Sequence, residues 1–252
     1  MSGERIDTVW DRDRLQSPHA QPDKAQRVRR MFDAIAPTYE RINTIASAGR
    51  DRYWRREMVR LAAVRPDDVL LDLACGTGDV ARAFASASPR PAGIIAVDFS
   101  LAMLKLAVPR HVNDLTWVQA DALHLPLAPA GVTIVTCAFG IRNFQDLGAA
   151  LREIHRVLTP GGRAVILEFS IPTVAIFRHV YRLYAGHVLP ALAWLIGHDR
   201  TGAYRYLHKS VLSFPGREEI VSSLRAAGFA DVVVHPLSWG VVTIYLASKT
   251  ST

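Results

Sequence analysis

The chain has 252 residues, of which 50% are hydrophobic and 21% are charged, and its formal net charge is +7. This length suits one large domain or one domain plus additions, and the apolar share can fill a core, which argues against general disorder. The first 30 residues are polar and charged, without the order of a signal peptide. Cys75 and Cys137 have neither metal nor disulfide spacing, which predicts free buried thiols in a cytoplasmic protein.

The first predicted elements are helices. Residues 1–25 are polar, lack an apolar period and are predicted to be a flexible leader. Residues 26–64 are predicted to be helical, with Phe32, Ile35 and Tyr39 spaced for one face. Nine arginines lie between residues 27 and 60, and three interpretations stay open: a solvated helix face, a surface for anionic lipid, or a surface for RNA.

From residue 65 onward, apolar strand patterns alternate with helical patterns. The predicted strands are 69–74, 94–99, 116–120, 132–139 and 163–169. The predicted helices lie near 79–87, 100–108, 146–157 and 216–227. Parallel neighbouring strands need a crossover, so the alternation predicts an α/β fold with a doubly wound, mainly parallel sheet. The segments DVVVHPL and GVVTIYLAS near the end predict an antiparallel hairpin that closes the sheet.

Residues 172–210 depart from this alternation and are predicted to be an apolar helical insertion. Its segment YRLYAGHVLPALAWLIG is interrupted by Arg182, His187 and Pro190. A transmembrane helix needs an uncharged span of about 18 residues or more, so this segment falls short. Three interpretations stay open: a buried helix pair, an apolar cover over a hydrophobic substrate, or a segment that lies in the membrane interface.

A glycine turn in LLDLACGTGD follows the first predicted strand. Gly76 and Gly78 begin a match to the G-x-G-x-x-G/A dinucleotide pattern, and Asp98 follows about 20 residues later, where an acid can accept both ribose hydroxyls. Asp72 and Asp79 flank the turn, and like charges about 4 Å apart repel by about 4 kcal/mol. The acids therefore favour S-adenosylmethionine, a cationic ligand with a ribose, over NAD. The alternative is that they only cap the helix or bond nearby backbone.

The segment QADALHLPL follows the third predicted strand. There Asp121 can accept a hydrogen bond from an adenine amino group, while the Ala122 N–H can donate to the ring. The alternative is an ordinary surface turn.

Eight motifs together point to one family. The general ones are LDLACGTGD, VDFSLAMLKLA, QADALHLPL and LTPGGR, and the more specific ones are MFDAIAPTYERIN, FGIRNFQD, LEFSIP and YRYLHKSVLSFPGREEI. With them the chain resembles, from about Val28 to Lys249, the ubiquinone/menaquinone biosynthesis C-methyltransferases. This resemblance implies a seven-stranded, Rossmann-like class I methyltransferase that uses S-adenosylmethionine. It also implies that residues 26–64 form a helical lid on a methyltransferase domain at 65–252.

The resemblance carries the family's donor-binding positions to residues of this chain. They fall on Thr77, Asp98, Asp121, Ala122 and Ala138. Many relatives have serine at the last position, so Ala138 is expected to contribute its backbone only. No histidine pair has metal-ligand spacing, and no metal is expected.

The resemblance further implies methyl transfer to a ring carbon of a polyprenylated demethylquinol. The hypothesis for the acceptor side is that Arg142 stabilises the developing phenolate and that Asn143 orients the ring. Tyr39 on the lid is a further candidate. The alternatives are that Arg142 pairs with an acid such as Glu168 and that Tyr39 is simple helix packing.

The expected partners follow from this substrate. They are the polyprenylated quinol and, transiently, the inner face of the cytoplasmic membrane; a homodimer is possible, and no nucleic acid is expected. Demethylmenaquinol is favoured over the ubiquinone precursor 2-polyprenyl-6-methoxy-benzoquinol, and another small aromatic acceptor stays open. An RNA methyltransferase is disfavoured because CAFGIRN stands where a (D/N)-P-P-(Y/F) tetrad would be expected.

Overall fold

The structure is a computed structural model that describes residues 9–11, 13–108, 115–174, 176, 177, 179 and 202–251. The apolar run YRLYAGHVLPALAWLIG, and with it the choice among the three interpretations of the insertion, lies outside the described residues. Within the described ranges, no helix is both long enough and apolar enough to cross a membrane.

The elements of the described chain follow the predicted alternation. The helices are α1 (Lys24–Ile35), α2 (Tyr39–Ala46), α3 (Asp51–Ala62), α4 (Asp79–Ala85), α5 (Leu101–Ala107), α6 (Leu147–Val157), α7 (Ala203–Leu212) and α8 (Arg217–Ala226). The strands are β1 (Val69–Leu73), β2 (Gly93–Asp98), β3 (Leu115–Gln119), β4 (Val132–Ala138), β5 (Leu158–Phe169), β6 (Asp231–Leu237) and β7 (Val242–Ser248). Only β5 begins well before its predicted start, because Leu158 already pairs with Val132 across a register shift.

The strands form one seven-stranded sheet in the order β3-β2-β1-β4-β5-β7-β6. Strands β1 to β5 run parallel, and β7 runs antiparallel to both β5 and β6, which confirms the predicted mainly parallel sheet and its closing hairpin. From β1, strands β2 and β3 extend the sheet to one side and β4 and β5 extend it to the other, so the strand order reverses between β1 and β4. In open α/β sheets such a switch point forms a crevice outside the carboxyl ends of the strands, and ligands bind there.

Both faces of the sheet are buried. Leu71 and Leu73 of β1 belong to the core cluster that includes Leu151 of α6. Leu70, which points to the other face, belongs to the cluster that includes Trp54 of α3 and Phe84 of α4. Burial on both faces explains why the central strands are almost continuously apolar.

Around Trp10 and Leu15, the segment before α1 is not the flexible leader that its polarity predicts. Trp10 and Leu15 are buried in a third cluster with Val28 and Met31 of α1. The Trp10 ring also stacks on Tyr206 of α7, with 4.3 Å between ring centroids. The prediction is therefore wrong for these residues, because two large apolar side chains can anchor a segment whose average composition is polar.

Candidate active site

The glycine turn between β1 and α4 lies at the switch point of the sheet. Gly76 and Gly78 have φ values of 56° and 86°, in the left-handed region that favours glycine. A Cβ at Gly78 would overlap the ring of Trp117, whereas a Cβ at Gly76 would meet only Tyr39 Cε1, at 3.9 Å. Gly78 lines neither of the cavities described below, so its predicted role as a donor contact is not supported. It allows β3 to pack against the turn.

The two glycines are therefore expected to respond differently to alanine. Gly78→Ala should lower the free energy of unfolding by at least about 2 kcal/mol, because it adds a clash to an unfavourable φ. Gly76→Ala should cost about 1 kcal/mol and mainly weaken donor binding, since its Cβ would enter the space beside the turn. Urea unfolding and donor titration of both variants test this. Equal destabilisation with unchanged donor affinity in both would contradict it.

Two cavities meet beside the turn. The large cavity has a volume of about 870 Å³ and lies between the N-terminal helices, the turn and the ends of β4 and β5. The small cavity, of about 70 Å³, lies beside Asp98 at the end of β2. The residues that line both are Phe32, Tyr39, Ala74, Gly76, Ala138 and Phe139.

Asp98 stands where the sequence predicts the ribose acceptor. It ends β2, lines the small cavity and is only 6% exposed. Its two carboxylate oxygens accept hydrogen bonds from the backbone N–H groups of Gly76 and Ser100, each at 2.8 Å. Burial raises the pKa of Asp98 to about 6. Each oxygen retains a lone pair, so the carboxylate can still accept two ribose hydroxyls.

Asp121 and Ala122 also line the small cavity, as their proposed contacts with adenine require. Asp121 is exposed and accepts a hydrogen bond from the Leu123 N–H at 2.9 Å, while Ala122 is buried. Phe99 and Met103 provide apolar surface on the same cavity. The small cavity is therefore an apolar slot with a hydrogen-bond acceptor, Asp121, at its edge, as an adenine ring would need. The hydrogen bond from Leu123 to Asp121 is also the one expected of an ordinary surface turn.

Asp72 is a buried brace rather than an open anionic site. Its carboxylate accepts hydrogen bonds from the Ala81 N–H at 3.0 Å and from the Thr136 hydroxyl at 2.8 Å, and so connects α4 to β4. Burial raises its pKa to about 7, so the carboxyl is only partly ionised at neutral pH. Asp72 lines the large cavity, but both of its hydrogen bonds hold the fold together, as expected if this acid does not bind the donor.

Asp79 does not present an unbalanced negative charge to a ligand. It forms ion pairs with Arg82 at 2.6 Å and with Arg55 of α3 at 3.5 Å. The repulsion that the sequence argument assigns to Asp79 is therefore largely cancelled. Asp98 remains as a ribose acceptor and Asp72 as a partly ionised carboxyl, and the turn alone does not exclude an anion.

Thr77 and Ala138 lie on the cavity walls, as the resemblance implies. Thr77 is 3% exposed and lines the large cavity. Ala138 ends β4 and lines both cavities, where it contributes a methyl group and backbone only. Ala138 therefore lies where it could contact a donor, its role there stays a prediction, and the hydroxyl of the common serine is absent.

Arg142 pairs with Glu168, as the alternative interpretation holds. Its Nη1 lies 2.7 Å from Glu168 Oε1 and also donates to the Phe139 carbonyl at 2.6 Å. Burial acts to lower the pKa of Arg142, but the charge of Glu168, its hydrogen bond and the nearby Tyr206 and Tyr39 together outweigh it, and the pKa lies above its ordinary value. The Arg142 Nε is buried and has no hydrogen-bond partner among the described residues. Arg142 lines the large cavity, but this Nε has almost no accessible surface, so a ligand there meets the positive charge of the guanidinium rather than this donor.

Asn143 braces the loop instead of facing the large cavity. Its Nδ2 donates to the Phe139 carbonyl at 3.1 Å, and its Oδ1 accepts from the Tyr206 hydroxyl at 3.0 Å. The prediction that Asn143 orients the acceptor ring is therefore not supported, since both ends of its amide are engaged. Tyr206, which lines the large cavity, is a residue that the sequence reasoning missed; its place in YRYLHKSVLSFPGREEI was the only signal.

Tyr39 lies where the two cavities meet, in edge contact with Phe32 at a centroid distance of 5.8 Å. Burial raises its pKa, so its hydroxyl is neutral at neutral pH. Ligand pockets usually have volumes of roughly 300 Å³ or more. The small cavity, at about 70 Å³, is well below this. We therefore expect Phe32 and Tyr39 to move outward when a nucleoside enters.

The strand order is that of the class I methyltransferase fold. A protein from Thermotoga maritima described as a SAM-dependent methyltransferase, possible histamine N-methyltransferase, has this fold, with a TM-score of 0.61 and 18% identity over 88% of this chain and 99% of its own. Residues 20–249 match the ubiE/COQ5 methyltransferase family, and the chain belongs to that family.

Two bacterial relatives cover most of the chain. A ubiquinone/menaquinone biosynthesis C-methyltransferase UbiE of Syntrophotalea carbinolica is 44% identical over 87% of this chain and 93% of its own. A demethylmenaquinone methyltransferase of Deinococcus radiodurans is 41% identical over 90% of this chain and 94% of its own. The match to the family, over residues 20–249, spans both the N-terminal helices and the sheet.

Proposed function

We propose that the protein transfers a methyl group from S-adenosylmethionine to a ring carbon of a polyprenylated demethylquinol, with demethylmenaquinol as the favoured acceptor. The observation that carries the proposal is the large cavity, about 870 Å³, which adjoins the glycine turn and has Arg142 in a wall otherwise formed by Phe139 and Phe169. An aromatic ring fits such a wall, and a single cation there suits an anion that develops during the reaction. The names of the two relatives support the same acceptor class.

The donor side needs binding and orientation rather than activation. A sulfonium is already a strong electrophile, so the chain needs only to hold the ribose at Asp98, the adenine beside Asp121 and Ala122, and the remainder along Gly76 and Thr77. The carboxyl of Asp72 borders the space into which the cationic end would extend. Its negative charge, present in part at neutral pH, would favour a cation there.

The acceptor side carries the chemical difficulty. A ring carbon becomes a good nucleophile when a neighbouring phenol is ionised, and a phenol with a pKa near 10 costs about 4 kcal/mol to ionise at pH 7. The guanidinium of Arg142, paired with Glu168 at the large cavity, can offset part of this through its positive charge. Alignment of the methyl group with the ring carbon supplies a second contribution, worth up to about 7–11 kcal/mol.

The cellular setting follows from the acceptor. A prenylated quinol resides in a bilayer, so we place the enzyme in the cytoplasm, in transient contact with the inner face of the cytoplasmic membrane. No nucleic-acid partner and no metal are part of the proposal.

The acceptor assignment is tested by competition. Labelled donor is incubated with equal amounts of demethylmenaquinol and 2-polyprenyl-6-methoxy-benzoquinol, and both products are quantified by mass spectrometry. We expect label chiefly in menaquinol. Label only in the benzoquinol product would reverse the choice of acceptor, and label in neither would overturn the proposed function.

A further inference from the structure

The turn between β6 and β7 has a strained backbone and carries an exposed tryptophan. Ser238, Trp239 and Gly240 have consecutive positive φ values of 48°, 56° and 87°, although only the last is a glycine. The side chain of Trp239 is also 65% exposed. Backbone strain of this kind persists only when the surrounding structure fixes it, and it is concentrated at functional positions.

Hydrogen bonds from both sides fix this turn. The indole N–H of Trp54 in α3 donates to the Ser238 hydroxyl at 2.8 Å. The Gly240 carbonyl accepts from the Ser170 hydroxyl at 2.8 Å and from the Arg217 guanidinium at 2.9 Å. The outward position of Trp239 is therefore set by the fold rather than by a loose loop.

The residues around Trp239 form a continuous rim at the large cavity. Phe177 stacks on the Trp239 ring with 5.2 Å between centroids, and the Arg50 guanidinium lies 5.6 Å from the same ring. Ile176, beside Phe177, is 67% exposed. All four residues line the large cavity, and we call them the aromatic rim. Single exposed apolar side chains are ordinary, but a continuous group at a cavity mouth marks an interaction surface.

Exposed arginines also lie on α3, which begins directly after Arg50 of the rim. Arg52 and Arg56 are exposed and four residues apart, so they lie on one side of the helix. Within the described part of the chain, neither of them forms an ion pair, unlike Arg55 and Arg60 on the same helix. Exposed cations beside exposed aromatic and aliphatic side chains suit an anionic lipid surface, where aromatic rings occupy the interface and arginines the headgroup layer.

We propose that the aromatic rim, with Arg52 and Arg56, docks on an anionic bilayer, so that the large cavity opens directly towards the membrane. This inference rests on the proposed function, in which the acceptor is drawn from a bilayer. Single-stranded RNA could also stack on aromatic rings beside arginines. The exposed aliphatic Ile176 at the cavity mouth favours lipid, and RNA becomes an outcome of the test.

The experiment measures binding to vesicles of phosphatidylcholine with and without phosphatidylglycerol. Trp239→Ala should weaken binding to the anionic vesicles at least about tenfold, the loss expected for one large apolar side chain. Arg52→Gln with Arg56→Gln should weaken it about 25-fold, or roughly fivefold per arginine, and raised salt should weaken it further. Thermal unfolding checks that each variant is folded.

Matched controls use exposed residues away from the rim. Leu101→Ala on α5 removes an apolar side chain that is 47% exposed, and Arg152→Gln removes an exposed arginine from α6, which packs on the other face of the sheet from α3. Both should leave vesicle binding unchanged. Equal losses in the controls, or tighter binding of the wild-type protein to single-stranded RNA than to anionic vesicles, would overturn the proposal.

A second measurement separates this surface from the proposed function. Turnover of a short-tailed, water-soluble demethylquinol should be the same in the wild type and in the Arg52→Gln/Arg56→Gln variant, since neither arginine lines a cavity. Normal turnover without vesicle binding by the wild type would overturn the docking surface and leave the function intact. Vesicle binding without turnover of any quinol would support the surface and overturn the function.

Discussion

Glu168→Gln is expected to lower the free energy of unfolding by about 3–5 kcal/mol, because it leaves the buried guanidinium of Arg142 without its charged partner. Arg142→Met should cost a similar amount by leaving Glu168 buried and unpaired. The double variant removes both charges together and should recover most of the stability of the wild type. Urea unfolding of the three variants measures these differences.

The double variant also separates the two roles considered for Arg142. It should fold, yet methyl transfer should fall about 100- to 1000-fold, the usual effect of removing a group that stabilises charge in a transition state. Donor affinity, measured in parallel, should change little because neither residue lines the small cavity. Near-normal turnover in a folded double variant would mean that the Arg142–Glu168 pair only holds the loop.

Asp98→Asn is expected to weaken donor binding roughly 10- to 150-fold, the range for hydrogen bonds to a charged group. The amide replaces one acceptor oxygen by a donor, which also removes the partner of either Gly76 or Ser100. Asp67→Asn, an exposed carboxyl before β1, is the matched control and should bind the donor like the wild type. Unchanged affinity in Asp98→Asn would remove Asp98 from the donor site.

The pH dependence of donor binding follows from the same residue. Burial raises the pKa of Asp98 to about 6, and only the ionised carboxylate can accept both ribose hydroxyls. Donor affinity should therefore be highest above this pKa and fall as the pH decreases through it, because a bound proton must be released first. Asp98→Asn should lose this step, and any step that remains near pH 7 belongs to Asp72. Constant wild-type affinity between about pH 5 and about pH 8 would contradict this.

The sheet could be predicted because its signals are local. Apolar runs that end in glycine turns specify β1 and its neighbours, and the spacing from the turn places Asp98 at the end of the next strand. Trp10 shows where this reasoning fails. A single tryptophan in a polar segment carries no period, so its burial against α7 depends on a partner that is distant in sequence.

The charges of the site could be located but not paired from sequence. Arg142 and Glu168 meet only because β4 and β5 lie side by side. Asp79 has a local partner in Arg82, three residues on, but gains its second partner, Arg55, because α3 packs over the turn. From sequence alone, a carboxylate in a motif therefore looks unpaired, although the fold gives it a cationic partner. The same limit applies to the Asn143–Tyr206 hydrogen bond, which joins residues 63 positions apart.

The position of the transferred methyl group distinguishes methylation of a ring carbon from methylation of an oxygen. The protein is incubated with demethylmenaquinol and a donor that carries a ¹³C-methyl group, and the product is examined by mass spectrometry and by ¹³C NMR. We expect the label to appear as a methyl group on a quinol ring carbon. Label on a phenolic oxygen, or no labelled quinol at all, would contradict it.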